Sequence, residues 1–140
     1  MASNSFYAWI FDLFNDNLTG QTLKLLLVNA TDTADKVLDE FVADIVANEL
    51  SDGSYSRKTL ASITLQQNQD SHGFKLDAAD PVFTALAGGE TVNAAYVFRQ
   101  VTNDADSYLV ARLDGSNITT NGGNVTVQFH ATDGILYADG

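Results

Sequence analysis

The sequence has no cysteine, a single proline and only seven basic side chains among 140 residues. Without cysteine, a disulfide framework, a thiolate zinc site and a cysteine nucleophile are all excluded. The lysines and arginines are scattered along the chain, so no basic stripe exists that would neutralise the phosphates of a nucleic acid. We therefore expect no nucleic-acid partner.

A membrane-spanning or export segment is also lacking. No apolar run approaches the roughly 20 residues that a transmembrane helix needs. The N-terminus has no positively charged region, and the apolar stretch Phe6–Phe14 is interrupted by Asp12. We therefore expect no membrane partner and no secretion.

What the sequence does have is a large acidic excess. Eighteen acidic and seven basic side chains give a formal net charge of −11 and a pI near 4.1. Such a charge favours solubility, and it also suits a protein displayed at high local density, because mutual repulsion limits aggregation. The length predicts one domain, residues 1–140, which is large enough to bury a core without disulfides or metals.

The N-terminal third mixes helical and strand patterns. Apolar residues at helical spacing predict helices over Phe6–Phe14 and over Lys36–Leu50, and Asn15–Asn17 is expected to end the first. Between them, Thr22–Val28 is a short apolar run whose length favours a buried strand.

From Tyr55 onward, apolar and polar residues alternate with the period of a β-strand. The segments are short and are separated by predicted turns, among them Gln67–Ser71, Thr102–Asp106, Gly115–Asn117 and Asn121–Asn124. The predicted fold class is mainly β with some α: an antiparallel β-sandwich or barrel with one or two short N-terminal helices. The predicted core is Leu25, Leu27, Phe41, Ile45, Ile63, Leu65, Phe83, Val97, Leu109, Leu113, Val125, Val127 and Phe129.

Catalytic chemistry has few candidate residues. The two histidines are His72, in a predicted turn, and His130, on a predicted strand, and no Gly-x-Ser-x-Gly elbow is present. The acidic clusters Asp32–Asp35 and Asn103–Asp106 lack the glycine and glutamate spacing of a calcium-binding EF-hand loop. We expect no catalytic residue, no cofactor and no metal, and hence that the chain is not an enzyme.

Several blocks of sequence follow one another in a characteristic order. The blocks are Leu23–Val28, Glu40–Ile45, Tyr55–Leu60 with its basic Arg-Lys pair, Asp77–Leu86 with the sequence Asp-Ala-Ala-Asp-Pro-Val-Phe-Thr-Ala-Leu, the hairpin Tyr96–Asp114, and Thr119–Phe129. This order resembles a family of small virion structural proteins encoded among the structural genes of tailed bacteriophages. The resemblance covers nearly the whole chain.

The resemblance implies a part of a virion. Our leading interpretation is a capsid decoration (cement) protein that binds the outer face of the major capsid protein lattice and stabilises the head. A tail or fibre component involved in host recognition, and a small hydrolase, remain as alternatives. A compact acidic domain without repeats or a coiled coil suits a head lattice better than a fibre.

The resemblance also implies partners and a location. The expected partners are the major capsid protein and further copies of the chain, as a homo-oligomer or as lattice neighbours. The expected location is the capsid surface of the virion, after synthesis in the host cytoplasm.

The predicted partner-binding residues lie at the N-terminus. Five aromatics fall within nine residues, more than one small helix normally buries in its own domain. Interfaces concentrate aromatic anchors at their centres, so this segment is predicted to attach the protein. The alternatives are that all five rings lie inside the fold, and that the loops at Thr102–Asp106 or Asn121–Asn124 attach instead. The five residues are Phe6, Tyr7, Trp9, Phe11 and Phe14.

Overall fold

A computed structural model describes residues 15–33, 35, 38–68 and 73–138. These residues fall into two compact units. The larger unit consists of Thr22–Leu60 and Asp80–Gln128, and the smaller unit consists of the described residues of Met1–Gln21, Ala61–Ala79 and Phe129–Gly140. The sequence prediction of one domain over 1–140 stays a prediction.

β-Strands are the main regular structure of the described chain, and every strand pair is antiparallel. In the larger unit, a four-stranded sheet has the order β2-β1-β6-β7, and β5 pairs with β8. In the smaller unit, the order is β3-β4-β9. The strands are β1 (Leu23–Asn29), β2 (Lys58–Thr59), β3 (Thr64–Asn68), β4 (Gly73–Asp77), β5 (Val82–Phe83), β6 (Thr91–Arg99), β7 (Tyr108–Thr119), β8 (Val125–Thr126) and β9 (Leu136–Ala138).

The predicted fold class is confirmed, since the protein is mainly β with antiparallel, sandwich-like open sheets and short helices. The sheets are open, so the barrel form of the prediction does not apply. Among the described residues, no helix is both long and apolar enough to cross a membrane.

The core of the larger unit is built on the two central strands, β1 and β6. Both are apolar on both faces, so their side chains are buried on each side of the sheet. Full burial of one Leu, Val or Phe side chain contributes about 1.5–3 kcal/mol, so this pair of strands supplies much of the unit's stability. One cluster on this core consists of Leu26, Val28, Val42, Ile45, Ala94, Tyr96 and Phe98.

The helix predicted over Lys36–Leu50 is wrong in extent. Among the described residues of this range, only Val42–Ile45 is α-helical, and a 3₁₀ turn, Val46–Asn48, follows it directly. Ile45, which was in the predicted core, joins the buried cluster together with Val42, which was not, whereas Leu38 is 74% exposed. The spacing of apolar residues therefore predicted the helical turn Val42–Ile45 correctly, but it did not predict the exposure of Leu38 before that turn.

The short helix begins late because the residues before it are bonded to β7. The N–H of Leu109 donates to the carbonyl of Glu40, and Phe41 forms a β-bridge with Tyr108. The carboxylate of Asp44 accepts the backbone N–H groups of Glu40 and Phe41, which satisfies donors at the start of the helix.

The helix predicted over Phe6–Phe14 lies outside the described residues. Its expected end at Asn15–Asn17 is wrong, because residues 15–18 are helical. The N–H of Thr19 still donates to the carbonyl of Asn15, the i to i−4 bond of a helix. The chain leaves the helix at Thr19 and Gly20, so these asparagines do not stop it.

The turn predicted at Gly115–Asn117 is also wrong, because β7 runs through it. Val92 pairs with Ile118 and Ala94 pairs with Asp114, so the extra residues of β7 are accommodated in a bulge. Asn117 takes a positive φ of 52° there, and its side-chain oxygen accepts a hydrogen bond from Asn93 at 2.9 Å.

The smaller unit centres on β4, whose Phe74 and Leu76 are buried. Gly134 has a positive φ of 66°, and a Cβ there would lie 2.4 Å from the carbonyl oxygen of Leu76, so glycine is required. The predicted turn Gln67–Ser71 begins in β3, which extends to Asn68, and its last three residues lie outside the described part of the chain.

The predicted core is partly confirmed. Six of its members are buried: Leu25, Leu27, Ile45, Phe83, Val97 and Phe129. The other seven are only half-buried, because they lie on edge strands or on short segments that are covered on one side: Phe41, Ile63, Leu65, Leu109, Leu113, Val125 and Val127. None of the thirteen is fully exposed.

Candidate binding surface of the larger unit

The strongest ionic interaction in the larger unit is centred on Arg57. Its Nε and Nη2 donate to the Glu49 carboxylate at 2.8 and 2.6 Å, and its Nη1 and Nη2 donate to Asp104 at 2.6 and 2.9 Å. Two-pronged bonds of this kind fix orientation as well as charge. Arg57 therefore ties the segment around Glu49 to the loop that follows β6.

The half-buried Tyr55 extends this network to the core sheet. The Tyr55 hydroxyl donates to Glu49 at 2.8 Å and accepts the N–H of Leu27 at 3.0 Å. Burial raises the pKa of Tyr55 well above its ordinary value. The guanidinium of Arg57 also lies 5.4 Å from the centre of the Phe98 ring, within cation–π range.

Hydrogen bonds from Arg57 lower the pKa of Asp104, and those to Glu49 and Asp104 raise the pKa of Arg57. Each partner thus favours the charged form of the other. The network consists of charged groups that are already paired, so its main effect is to hold backbone segments together.

The acidic side chains of the loop Asn103–Asp106 already have hydrogen-bond partners within the protein. Both oxygens of Asp104 face Arg57, and Asp106 accepts the N–H groups of Thr102 and Asn103 at 2.9 and 2.8 Å. The bond from Asn103 lowers the pKa of Asp106. In the described part of the chain, no group of three or more histidine, aspartate or glutamate side chains is placed to hold a metal ion.

A second polar group surrounds Asp32, a residue that the sequence showed only as a member of an acidic cluster. Asp32 is buried, and its Oδ2 accepts from the Tyr96 hydroxyl at 3.2 Å and from Arg112 at 3.4 Å. Arg112 also donates to Asn93 at 3.0 Å and forms an ion pair with Asp114. Burial raises the pKa of Tyr96, and the charge of Asp32 adds to the effect.

The face of the four-stranded sheet beside β8 carries an apolar groove of about 210 Å³. Its floor is formed by residues of β1 and β6, which are buried, and its sides by β7 and the segment 125–128. Ile118, on β7, is 48% exposed at this groove. The lining residues are Leu27, Val92, Ala94, Ala95, Leu113, Asp114, Gly115, Ile118, Val125, Thr126, Val127 and Gln128.

Strand β7 is the outermost strand of its sheet among the described residues. Two large apolar side chains on it are about half exposed, Tyr108 at 47% and Ile118 at 48%. Ile118 lies beside the groove, whereas Tyr108, at the other end of β7, packs against the Phe41 ring. The groove and this strand therefore form the candidate binding surface.

The five predicted anchor residues, Phe6, Tyr7, Trp9, Phe11 and Phe14, lie outside the described residues, so their role stays a prediction. The alternative attachment loops are described. Most residues of Thr102–Asp106 and all of residues 121–124 are exposed.

His72 is also outside the described residues. His130, in the smaller unit, is exposed, and its Nδ1 accepts the N–H of Asp133 at 3.1 Å. This contact closes a turn in which the N–H of Gly134 donates to the carbonyl of His130.

Comparison of the chain with protein-family models, with curated proteins and with solved structures gave no match.

Proposed function

We propose that the chain is a structural protein of a tailed-bacteriophage virion, and specifically a capsid decoration protein. It would bind the outer face of the major capsid protein lattice and stabilise the head. The order of sequence blocks supports the virion assignment. The arrangement of the larger unit supports a binding role.

The proposal rests on one observation: in the larger unit, several charged side chains are paired with one another, whereas some apolar side chains are exposed at the surface. The charged groups with the strongest contacts, Arg57, Glu49 and Asp104, are bonded to one another and hold backbone segments. The apolar groove and the half-exposed Ile118 lie at the surface instead. A rigid scaffold with an apolar contact surface suits attachment to another protein.

The net charge of −11 is consistent with such a role. Like-charged neighbours repel when they are packed densely, so the lattice would be held by apolar contact and by a few ion pairs. The same repulsion would keep the free protein soluble before assembly.

The test is the copy number and position of the protein in purified particles. Quantitative mass spectrometry should find it in stoichiometric proportion to the major capsid protein lattice, and labelling should place it on the head. A few copies confined to the tail would instead support the tail or fibre alternative. Complete absence from particles would overturn both.

Head stabilisation is measured separately. Particles that lack the protein should release their DNA at a lower temperature, and added purified protein should restore the original value. If decorated and undecorated heads open at the same temperature, the stabilising role is wrong even if the protein binds.

A further inference from the structure

We propose that Asn93 positions the rim of the groove. Its side chain holds the bulge of β7, and Ile118 follows directly after that bulge and lines the groove. Asn93 itself is not among the residues that line the groove. The inference rests on the proposed function for the use of the groove, but the position of Ile118 is measured without particles.

The bulge of β7 lies opposite Asn93. Val92 pairs with Ile118 and Ala94 pairs with Asp114, so Asn93 of β6 faces residues 115–117 of β7. Extra residues in a bulge are outside the regular ladder of backbone hydrogen bonds. The position of this segment, and of Ile118 after it, therefore depends on other contacts.

Both polar atoms of the Asn93 side chain supply such contacts. Its Nδ2 donates to Oδ1 of Asn117 at 2.9 Å, and its Oδ1 accepts from Nη2 of Arg112 at 3.0 Å. Arg112 precedes the bulge and Asn117 is its last residue, so one amide bridges the two ends of the bulge. Because Asn117 is bonded directly to Ile118, this bridge fixes the backbone from which the Ile118 side chain extends.

Arg112 gives the bridge a fixed end. Its Nε and Nη2 both lie 3.4 Å from Oδ2 of the buried Asp32, and it also forms an ion pair with Asp114. Among the described residues, no group donates to the other oxygen of Asp32. Moving Arg112 away would leave this buried carboxylate poorly compensated, so Arg112 is costly to displace.

The backbone of the bulge is also close to Asn93. A Cβ at Gly115 would lie 2.6 Å from the carbonyl oxygen of Asn93. Asn117 has a positive φ of 52°, a conformation that asparagine adopts more readily than most residues and that glycine adopts freely. Asn117→Gly therefore removes the side-chain contact with Asn93 while it keeps the backbone conformation accessible.

The first experiment measures the position of Ile118 in the full-length protein. Asn93→Leu removes both hydrogen bonds and keeps a side chain of similar size. The ¹³C-labelled δ1 methyl group of Ile118, assigned with an Ile118→Leu variant, should shift by more than its linewidth in Asn93→Leu. If Asn93→Leu fails to fold, as judged by circular dichroism, Asn117→Gly carries the same test.

Two further variants separate positioning from a general loss of stability. Asn93→Asp keeps an acceptor for Arg112 and, once the Asn117 amide rotates, a second acceptor for Asn117, so the Ile118 signal should stay close to that of wild type. Arg57→Ala removes hydrogen bonds elsewhere in the larger unit. It should lower stability without moving the Ile118 signal.

The second experiment measures binding to undecorated particles by co-sedimentation. Loss of the bridge should weaken binding by about threefold to tenfold in Asn93→Leu, the equivalent of one hydrogen bond. The double variant Asn93→Leu/Asn117→Gly should bind no more weakly than Asn93→Leu alone, because both changes remove the same contact. Arg57→Ala should bind as wild type does.

Two results would contradict the role of Asn93. One is an Ile118 signal that is the same in Asn93→Leu and in wild type, and the other is a signal that Arg57→Ala moves equally far. Failure of the proposed function gives a different result: Asn93→Leu shifts the Ile118 signal, but wild type does not bind particles or the variant binds them equally well. That outcome would support the positioning of Ile118 by Asn93 and remove the groove from attachment.

Discussion

At the scale of single residues, the larger unit depends on charged groups that are far apart in the sequence. Arg57 and Asp104 are 47 positions apart, and Asp32 and Arg112 are 80 apart. No local pattern marks such pairs, so the sequence showed Asp32 and Asp104 only as members of two acidic clusters. They become recognisable only when the antiparallel pairing of β6 and β7 is known.

Arg57→Ala should lower the free energy of unfolding by about 1–3 kcal/mol, because it removes the Arg57 donors from the Glu49 and Asp104 carboxylates, and Glu49 keeps the hydrogen bond from the Tyr55 hydroxyl. Urea denaturation measures the change. Arg57→Lys keeps the charge but cannot form both two-pronged contacts, so it should fall between wild type and alanine. An alanine variant within about 0.5 kcal/mol of wild type would contradict the structural role of the network.

The pH dependence of stability should report Asp104. Because Arg57 lowers the pKa of Asp104 in the folded protein, its contribution is present above the ordinary value of 3.8 and is lost as pH falls through the folded-state pKa. Asp104→Asn should therefore be less stable than wild type at pH 7, and the difference should shrink below about pH 4.

Urea titrations at pH 7 and pH 3 measure that difference. In an Arg57→Ala background, Asp104→Asn should have little effect at either pH, because its partner is already gone. A difference between wild type and Asp104→Asn that stays constant with pH would show that the carboxylate does not act through its charge.

At the scale of elements, the alternation of apolar and polar residues correctly predicted that the chain after Tyr55 forms β-strands. The hairpin of β6 and β7 was anticipated because Ala95, Val97, Leu109 and Leu113 occur at alternating positions. Two of the errors fell where turn-forming residues lie inside elements. Asn and Gly at 115–117 mark a bulge here, and asparagines at 15–17 do not end a helix, because backbone pairing overrides local preference.

The groove could not be predicted, since it depends on a gap between β7 and the segment 125–128. Val125 and Val127 were expected in the core by their alternation, and they are half-buried because the groove lies beside them. The alternation of Val125 and Val127 indicated which side of this segment faces the sheet. It did not indicate how completely other residues cover that side.

Substitution of Gly115 tests how closely the bulge of β7 approaches β6. A Cβ at this position would lie 2.6 Å from the carbonyl oxygen of Asn93, so Gly115→Ala should destabilise the protein by more than about 1 kcal/mol. Gly53→Ala is the control, because nothing lies within 4 Å of its Cβ position, and it should be neutral or slightly stabilising. Thermal unfolding that ranks the two variants equally would rule out the close approach.

At the scale of the whole molecule, the net charge and the aromatic N-terminal segment would have opposite effects on the proposed assembly. The net charge of −11 would make copies repel one another, whereas aromatic anchors would stabilise contact over short distances. Salt weakens the charge repulsion far more than the apolar contact, because the Debye length falls from about 30 Å at 0.01 M to about 8 Å at 0.15 M ionic strength. Assembly is therefore expected to depend on the residues that supply the apolar contact.

Deleting residues 1–9 removes Phe6, Tyr7 and Trp9. The deletion tests whether the N-terminal segment attaches the protein to particles. We expect the shortened chain to keep the stability of the full-length protein but to lose binding to undecorated particles, because anchors carry most of the energy of an interface. Urea denaturation and co-sedimentation with particles measure the two properties independently. Unfolding on truncation would place these aromatics in the core of the protein's own fold. A folded, truncated protein that still binds normally would move the attachment surface to the exposed loops at Thr102–Asp106 or Asn121–Asn124.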